Sequence, residues 1–185
     1  MKEAASASTS YGSAERGAAA PKSMLASLAP FVAEFLGTLV VTFTVGCCAL
    51  SPGMPTWSPT AIASALMVMV YSTAPISGGH LNPAVSFSLG VVQAVPWRTV
   101  IKYWVVQVAG GVAAGICCRA LFSPRSAAVE PIAPFTWGYG MLAEVIYTFM
   151  LCFVVNNCAA SKRNNPKEDG NQFFALAIGF VIVAG

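Results

Sequence analysis

Charged residues and histidine are scarce in this sequence. Only 9% of the 185 residues are charged and one is histidine, whereas 56% are hydrophobic. A soluble domain would carry about a quarter charged residues, so the composition excludes a soluble protein and predicts an all-α membrane protein with several spans. The formal net charge of +3 is small and dispersed, which excludes nucleic acid as a partner and leaves the lipid bilayer.

Patterns typical of metal centres and active sites are also missing. The cysteines lie in or beside apolar runs, and none has the spacing of metal ligands (Cys47, Cys48, Cys117, Cys118, Cys152 and Cys158). We interpret them as small apolar side chains in helix contacts, the alternative being redox or mercurial sensitivity. The apolar runs hold no nucleophile–base pair and no metal cluster, so we expect no enzyme activity, no metal and no cofactor.

The first 28 residues differ from the rest of the chain. They are rich in alanine and serine and lack the apolar stretch of a signal peptide, which predicts a disordered tail over residues 1–28. Residues 29–185 form the predicted membrane domain. Its apolar runs predict four spans and the start of a fifth, which has too few residues to cross a ~30 Å hydrocarbon core: 29–50, 59–75, 99–122, 137–158 and 172–185.

The basic residues predict how the chain is oriented. Eight of the ten Lys and Arg residues lie in the tail, around the start of the third span or after the fourth span, which places them on one side of the membrane. Only Arg119 and Arg125 lie on the other side. Because Lys and Arg favour the cytoplasmic side, we expect a cytoplasmic N-terminus.

One stretch between the second and third spans argues against a continuous helix. Residues 77–85 read Ser-Gly-Gly-His-Leu-Asn-Pro-Ala-Val. Asn82 suits the N-cap of a helix and Pro83 its first position, so we predict a short helix from Pro83 to about Ala94 that Pro96 stops. A helix of roughly 12 residues covers about 18 Å, only part of a bilayer. We therefore predict a re-entrant half-helix whose irregular backbone is buried in protein or lines water.

An Ala-Glu-x-x-x-Thr motif of the first span recurs in the fourth. The copies lie at residues 33–38 and 143–148, and three spans separate them, so they cross the membrane in opposite directions. This predicts an inverted repeat, whose functional sites usually lie at the midplane. Glu34 and Glu144 are the only carboxylates in the spans. Two roles are open for them: proton relay or ion coordination, and acceptance of backbone N–H bonds that hold a re-entrant loop, which we favour.

Together these motifs resemble the aquaporin (major intrinsic protein) family. The resemblance rests on Gly-x-x-Asn-Pro-Ala after a re-entrant turn, on the Ala-Glu-x-x-x-Thr repeat, and on the residues from Tyr103 to Gln107 followed by glycines. It covers residues 29–185. It implies an aquaporin-like inverted-repeat helical bundle, a homotetramer with one pore per subunit, and passive transport of water and small neutral solutes such as glycerol.

The resemblance also implies roles for individual residues. The start of the half-helix is expected at the pore, where asparagine N–H groups donate to a passing oxygen and the helix dipole opposes cations (Asn82, Pro83 and Ala84). The preceding loop is expected to line the cytoplasmic approach with unpaired carbonyls (Gly78, Gly79 and His80). For His80 a pH-sensitive gate and a hydrogen-bonded anchor are both open, and we favour the anchor. Ile62 is the expected selectivity-filter residue of the second span, and Gly111 and Gly115 are expected in close helix contacts.

The sequence departs from the family pattern near its end. By the offset between the second and fifth spans, a second Asn-Pro-Ala is expected at about position 198, so the last half-helix and the sixth span are expected to be missing from these 185 residues. This departure leaves open a truncated, non-conducting isoform that modulates full-length subunits. A secondary transporter or membrane enzyme is the other alternative, since transporters share re-entrant loops and inverted repeats. The transporter is disfavoured because the spans hold just two acidic residues and no basic residue well inside.

Overall fold

The computed structural model describes residues 24–51, 55–125, 130–131, 133–166, 168 and 170–184, and these residues form helices and turns without a strand among them. The predicted all-α class is therefore confirmed for this part of the chain. The helices are α1 (Met24–Leu50), α2 (Ser58–Ser77), α3 (Pro83–Val91), α4 (Trp97–Phe122), α5 (Trp137–Val155) and α6 (Phe174–Ala184), with a 3-10 turn at Pro55–Trp57 and a π-helical turn at Asn156–Ala160.

Four helical segments are long and apolar enough to cross a bilayer, namely Met24–Leu50, Ser58–Ser77, Trp97–Phe122 and Trp137–Ala160. Their outward faces are apolar. On α4, for example, four aliphatic side chains at helical spacing are 58% to 66% exposed (Val105, Val108, Val112 and Ile116). A helix in water would turn such a stripe inward, so the exposed stripe and the long apolar spans indicate an integral membrane protein.

Several helix ends differ from the predicted ones by one to five residues, and three of these differences concern the tail, the half-helix and the fourth span. α1 begins at Met24, so the last five residues of the predicted tail are helical, while the rest of that tail lies outside the described residues. α3 stops at Val91, three residues early, because Gln93 adopts a left-handed φ of 59° that turns the chain. The π-helical turn carries the fourth span to Ala160, past the predicted end at residue 158.

α1 packs along both α2 and α4 and so organises the first half of the bundle. The approach to α4 depends on Gly110, where a Cβ atom would lie 2.6 Å from the Phe35 carbonyl oxygen. The prediction that Gly111 and Gly115 make close helix contacts is wrong for the described part of the chain, where nothing lies within 4 Å of a Cβ built at either position. Successive residues are rotated by about 100° on a helix, so Gly110 faces α1 and its neighbour does not.

The short helix α3 lies inside the bundle. It packs against α4 and α5, and its Val85 and Leu89 belong to one buried apolar cluster with residues of α2, α5 and α6 (Leu66, Val70, Leu151, Val155, Ala175, Ile178 and Val181). With nine residues, α3 extends about 14 Å and covers only part of a bilayer. The chain therefore enters the bundle at this point and returns, as a half-helix does.

Candidate pore site

The loop between α2 and α3 has unusual backbone geometry. Gly78 ends α2 with a φ of 95°, Gly79 has a φ of 63°, and Leu81 has a φ of 51°. Glycine adopts this left-handed region freely, and Gly79 also needs the space, because a Cβ there would lie 3.2 Å from the Val70 carbonyl oxygen. Leucine does not adopt it freely. The backbone at Leu81 stores strain of roughly 1–3 kcal/mol, which neighbouring residues must offset.

The fully buried carboxylate of Glu34 holds this loop in place. Its Oε1 accepts hydrogen bonds from the His80 N–H at 2.9 Å and from Ser77 Oγ at 2.6 Å. Its Oε2 accepts from the Leu81 N–H at 2.7 Å and from Gln107 Nε2 at 2.8 Å. Four donors around one charged acceptor offset much of the cost of burying it, and two of them fix the strained peptide. These contacts fit the loop-supporting role expected for Glu34.

α1 also leaves space for the loop beside Gly37, about one turn after Glu34. Leu81 is 4% exposed, and its side chain occupies the space beside Gly37, where a Cβ atom would collide with it. A larger residue at position 37 would displace Leu81 from its place above Glu34. Glu34 and the space beside Gly37 therefore fix the position of Leu81 along α1 together.

The side chain of His80 is anchored inside the protein. It is 5% exposed, its Nδ1 lies 3.0 Å from Ser86 Oγ, and its ring meets the Tyr103 ring edge-on at a centroid distance of 5.0 Å. Ser86 Oγ also accepts a hydrogen bond from Gln107 Nε2 at 2.9 Å. His80 thus joins the loop to the first turn of α3 and to α4, as the anchor interpretation expects.

Three side chains of α4 hold the loop, and none of them has a role predicted from the sequence. Tyr103 donates from its hydroxyl to the Ser77 carbonyl oxygen at 2.8 Å, and Trp104 Nε1 donates to the Pro83 carbonyl oxygen at 2.9 Å. The third is Gln107, which bridges Glu34 and Ser86 as described above. The available signal was the spacing: a tyrosine and a glutamine four residues apart share one helix face, and a glutamine inside a span requires partners.

Asn82 caps α3 as predicted. Its backbone is extended, with φ −152° and ψ 129°, and its Oδ1 accepts a hydrogen bond from the Ala84 N–H at 2.8 Å. This bond orients the amide, because the oxygen faces the helix and the Nδ2 group points away from it. Among the described residues, Nδ2 and the carbonyls of Gly78, Gly79 and His80 make no hydrogen bond.

Ile62 and Glu144 lie away from this loop. Ile62 is half-buried on α2, about 22 Å along the helix from Ser77. Glu144 is exposed on α5 and lines a cavity of about 870 Å³ between α1, α4 and α5. Glu144 accepts no hydrogen bond within the described part of the chain, and the same part holds no group of three His, Cys, Asp or Glu side chains that could bind a metal ion. The roles expected for Ile62 and Glu144 stay predictions.

Several apolar spans around a re-entrant half-helix define a class of protein that comprises membrane channels and transporters. The family model described as major intrinsic protein matches residues 22–185. The chain therefore belongs to the major intrinsic protein family, and the resemblance seen in the sequence is confirmed.

Individual relatives agree with this assignment. Aquaporin NIP1-3 of Oryza sativa subsp. japonica is 37% identical over 162 residues, which are 83% of this chain and 56% of that protein. Probable aquaporin NIP4-2 of Arabidopsis thaliana is 30% identical over 182 residues, 94% of this chain and 62% of that protein. Aquaporin TIP2-3 of Zea mays is 34% identical over 171 residues, 86% of this chain and 67% of that protein. The chain thus spans between just over half and two thirds of the length of these relatives.

Proposed function

We propose that this chain forms a membrane channel for the passive transport of water and of small neutral solutes such as glycerol. Membership of the major intrinsic protein family supports a channel rather than an enzyme, and the relatives are named aquaporins. The observation that carries the proposal is the orientation of Asn82. Because its Oδ1 is occupied by the Ala84 N–H, the two N–H donors of its amide remain for a passing oxygen.

The loop provides complementary groups on both sides of such a solute. The carbonyls of Gly78, Gly79 and His80 can accept hydrogen bonds, and Asn82 Nδ2 can donate them. A water molecule or a hydroxyl group exchanges bonds along this lining without losing its hydrogen bonding. A proton or cation instead meets the N-terminus of α3, which carries a partial positive charge of about 0.5 elementary charges.

Orientation and assembly are part of the proposal. Arg98 and Lys102 lie in the first turns of α4, and Lys162 and Arg163 follow the π-helical turn. The two remaining arginines of the described residues lie at the other end of α4, Arg119 in its last turn and Arg125 just after it. This distribution supports a cytoplasmic N-terminus.

The proposed assembly is a homotetramer, by analogy with the family. Light scattering of the detergent-solubilised protein tests it, because a tetramer has four times the 19.2 kDa mass of one chain.

The variant Asn82→Asp tests the proposed mechanism. Aspartate keeps the oxygen that caps α3 but replaces the NH2 donors with negative charge, so folding is retained while the barrier changes. In vesicles containing the purified protein, we expect osmotic water permeability to fall or cation leakage to appear. Gln172→Glu makes the same charge change at an exposed position and should behave as wild type.

Two results would contradict the proposal. Wild-type flux together with wild-type cation exclusion in Asn82→Asp would refute the role of the asparagine. Wild-type vesicles no more permeable than protein-free vesicles would refute conduction by this chain. In that case the modulating function considered above predicts mixed oligomers with conducting subunits in native electrophoresis.

A further inference from the structure

The residues on both sides of Asn82 are held by side chains of the long helices. On one side, the Leu81 N–H donates to Glu34 Oε2 at 2.7 Å. On the other side, the Pro83 carbonyl oxygen accepts a hydrogen bond from Trp104 Nε1 at 2.9 Å. Asn82 therefore lies between one anchor from α1 and one anchor from α4.

Trp104 contacts the half-helix at a second point. Its indole stacks on the Phe87 ring, with a centroid distance of 6.4 Å and an interplanar angle of 21°. Pro83 and Phe87 are four residues apart, so they lie on one face of α3, about one turn from each other. Contacts at both ends of this turn restrict the rotation of α3 about its axis.

We propose that Trp104 is a positioning residue, which fixes the direction in which α3 presents the Asn82 amide. The Ala84 N–H binds Asn82 Oδ1, so the amide is fixed relative to α3, and a rotation of α3 turns Nδ2 with it. Trp104 acts on the amide through Pro83 and Phe87. Its consequence for water flux rests on the proposed transport function, whereas its effect on Asn82 does not.

The surroundings of Trp104 favour this hydrogen bond. Trp104 is half-buried on α4, one turn before Val108 of the exposed apolar stripe. An indole N–H can only donate, and lipid chains provide no acceptor that could compete with the Pro83 carbonyl. This carbonyl has two lone pairs, so it can accept from the indole as well as from the helical N–H of Phe87.

Trp97 provides an internal comparison. Its ring meets the Phe87 ring edge-on, with a centroid distance of 5.7 Å and an interplanar angle of 67°. Its indole N–H donates to no acceptor in the part of the chain that the structure describes. Trp97→Phe and Trp104→Phe therefore make the same chemical change beside Phe87, and only the second removes a bond to the backbone of α3.

The NMR signal of the Asn82 side-chain amide tests the positioning directly. In protein with isotope-labelled asparagine in lipid nanodiscs, Asn82→Asp assigns this signal by its loss. We expect Trp104→Phe to split or broaden the signal, because α3 then adopts more than one rotation, and Trp97→Phe to leave it single. Benzothienylalanine at position 104 keeps the bicyclic ring without the N–H and should act as Trp104→Phe does. A single, sharp signal in both position-104 variants, or equal changes in Trp97→Phe, would overturn the proposal.

Water flux per folded molecule separates positioning from a purely structural role. In vesicles well below the midpoint of thermal unfolding, permeability per incorporated protein should be roughly two- to tenfold lower in Trp104→Phe, as the loss of one neutral hydrogen bond allows. A purely structural Trp104 would lower the midpoint and leave this permeability unchanged, which would contradict the proposal. Wild-type vesicles no more permeable than protein-free vesicles would refute the transport function instead, and the Asn82 signal would still decide the role of Trp104.

Discussion

Replacing Glu34 with glutamine measures how strongly the carboxylate holds the loop. Each oxygen of Glu34 accepts two hydrogen bonds, so an amide in its place leaves two of the four donors facing an NH2 group, whichever way the amide turns. A hydrogen bond to a charged acceptor contributes about 1.5–3 kcal/mol. The loss of two therefore costs roughly 3–6 kcal/mol, before the strain at Leu81 is considered.

Hydrogen exchange of the loop amides is the direct assay. The N–H groups of His80 and Leu81 donate to Glu34, and opening of the loop exposes both. Since about 1.4 kcal/mol is a factor of ten, the protection of these amides should fall by roughly two to four orders of magnitude in Glu34→Gln. The midpoint of thermal unfolding in detergent should fall as well.

Glu144→Gln is the matched control, because it makes the same chemical change at the other carboxylate of the repeat. Glu144 is exposed and accepts no hydrogen bond from the described residues, so its replacement should change the stability of this chain by no more than about 0.5 kcal/mol. Unchanged protection in Glu34→Gln, or equal losses in the two variants, would refute the reasoning.

Two further predictions concern helix packing and solute choice. Gly110→Ala places a Cβ against the Phe35 backbone and should lower the free energy of unfolding by about 1–3 kcal/mol. The adjacent Gly111→Ala meets open space among the described residues and should raise the free energy of unfolding by roughly 0.5–1 kcal/mol, because alanine favours a helix over glycine. Equal thermal midpoints would contradict the packing. Ile62→Phe should reduce glycerol flux in vesicles while water flux persists, and unchanged solute selectivity would remove Ile62 from the filter.

Local signals made the half-helix predictable from the sequence. Asn82 and Pro83 each favour one position at a helix start, and the glycines before them favour the left-handed backbone that the loop adopts. The end of α3 was less predictable, because Pro96 marks only the latest residue at which the helix can stop. The turn at Gln93 ends it earlier.

Contacts between distant segments were not predictable in detail. Two adjacent glycines of α4 are equal candidates for a close helix contact, and which one faces α1 depends on the rotation of the helix about its axis. The spacing of Gly111 and Gly115 therefore indicated the wrong face of α4. Gly110 is the glycine that allows the backbones of α1 and α4 to come close. Glu34 was recognisable as a buried carboxylate in need of donors, but Gln107 could be assigned to it only from the packed structure.

The contacts between α1 and the loop couple the position of the helix to that of the loop. Glu34 and Gly37 lie about one turn apart on a helix of 27 residues, and together they hold Leu81 from two sides. Because Leu81 precedes Asn82 directly, we expect a tilt of α1, as a thinner or thicker bilayer produces, to move the asparagine amide as well. Water permeability should then depend on the length of the lipid chains around the protein.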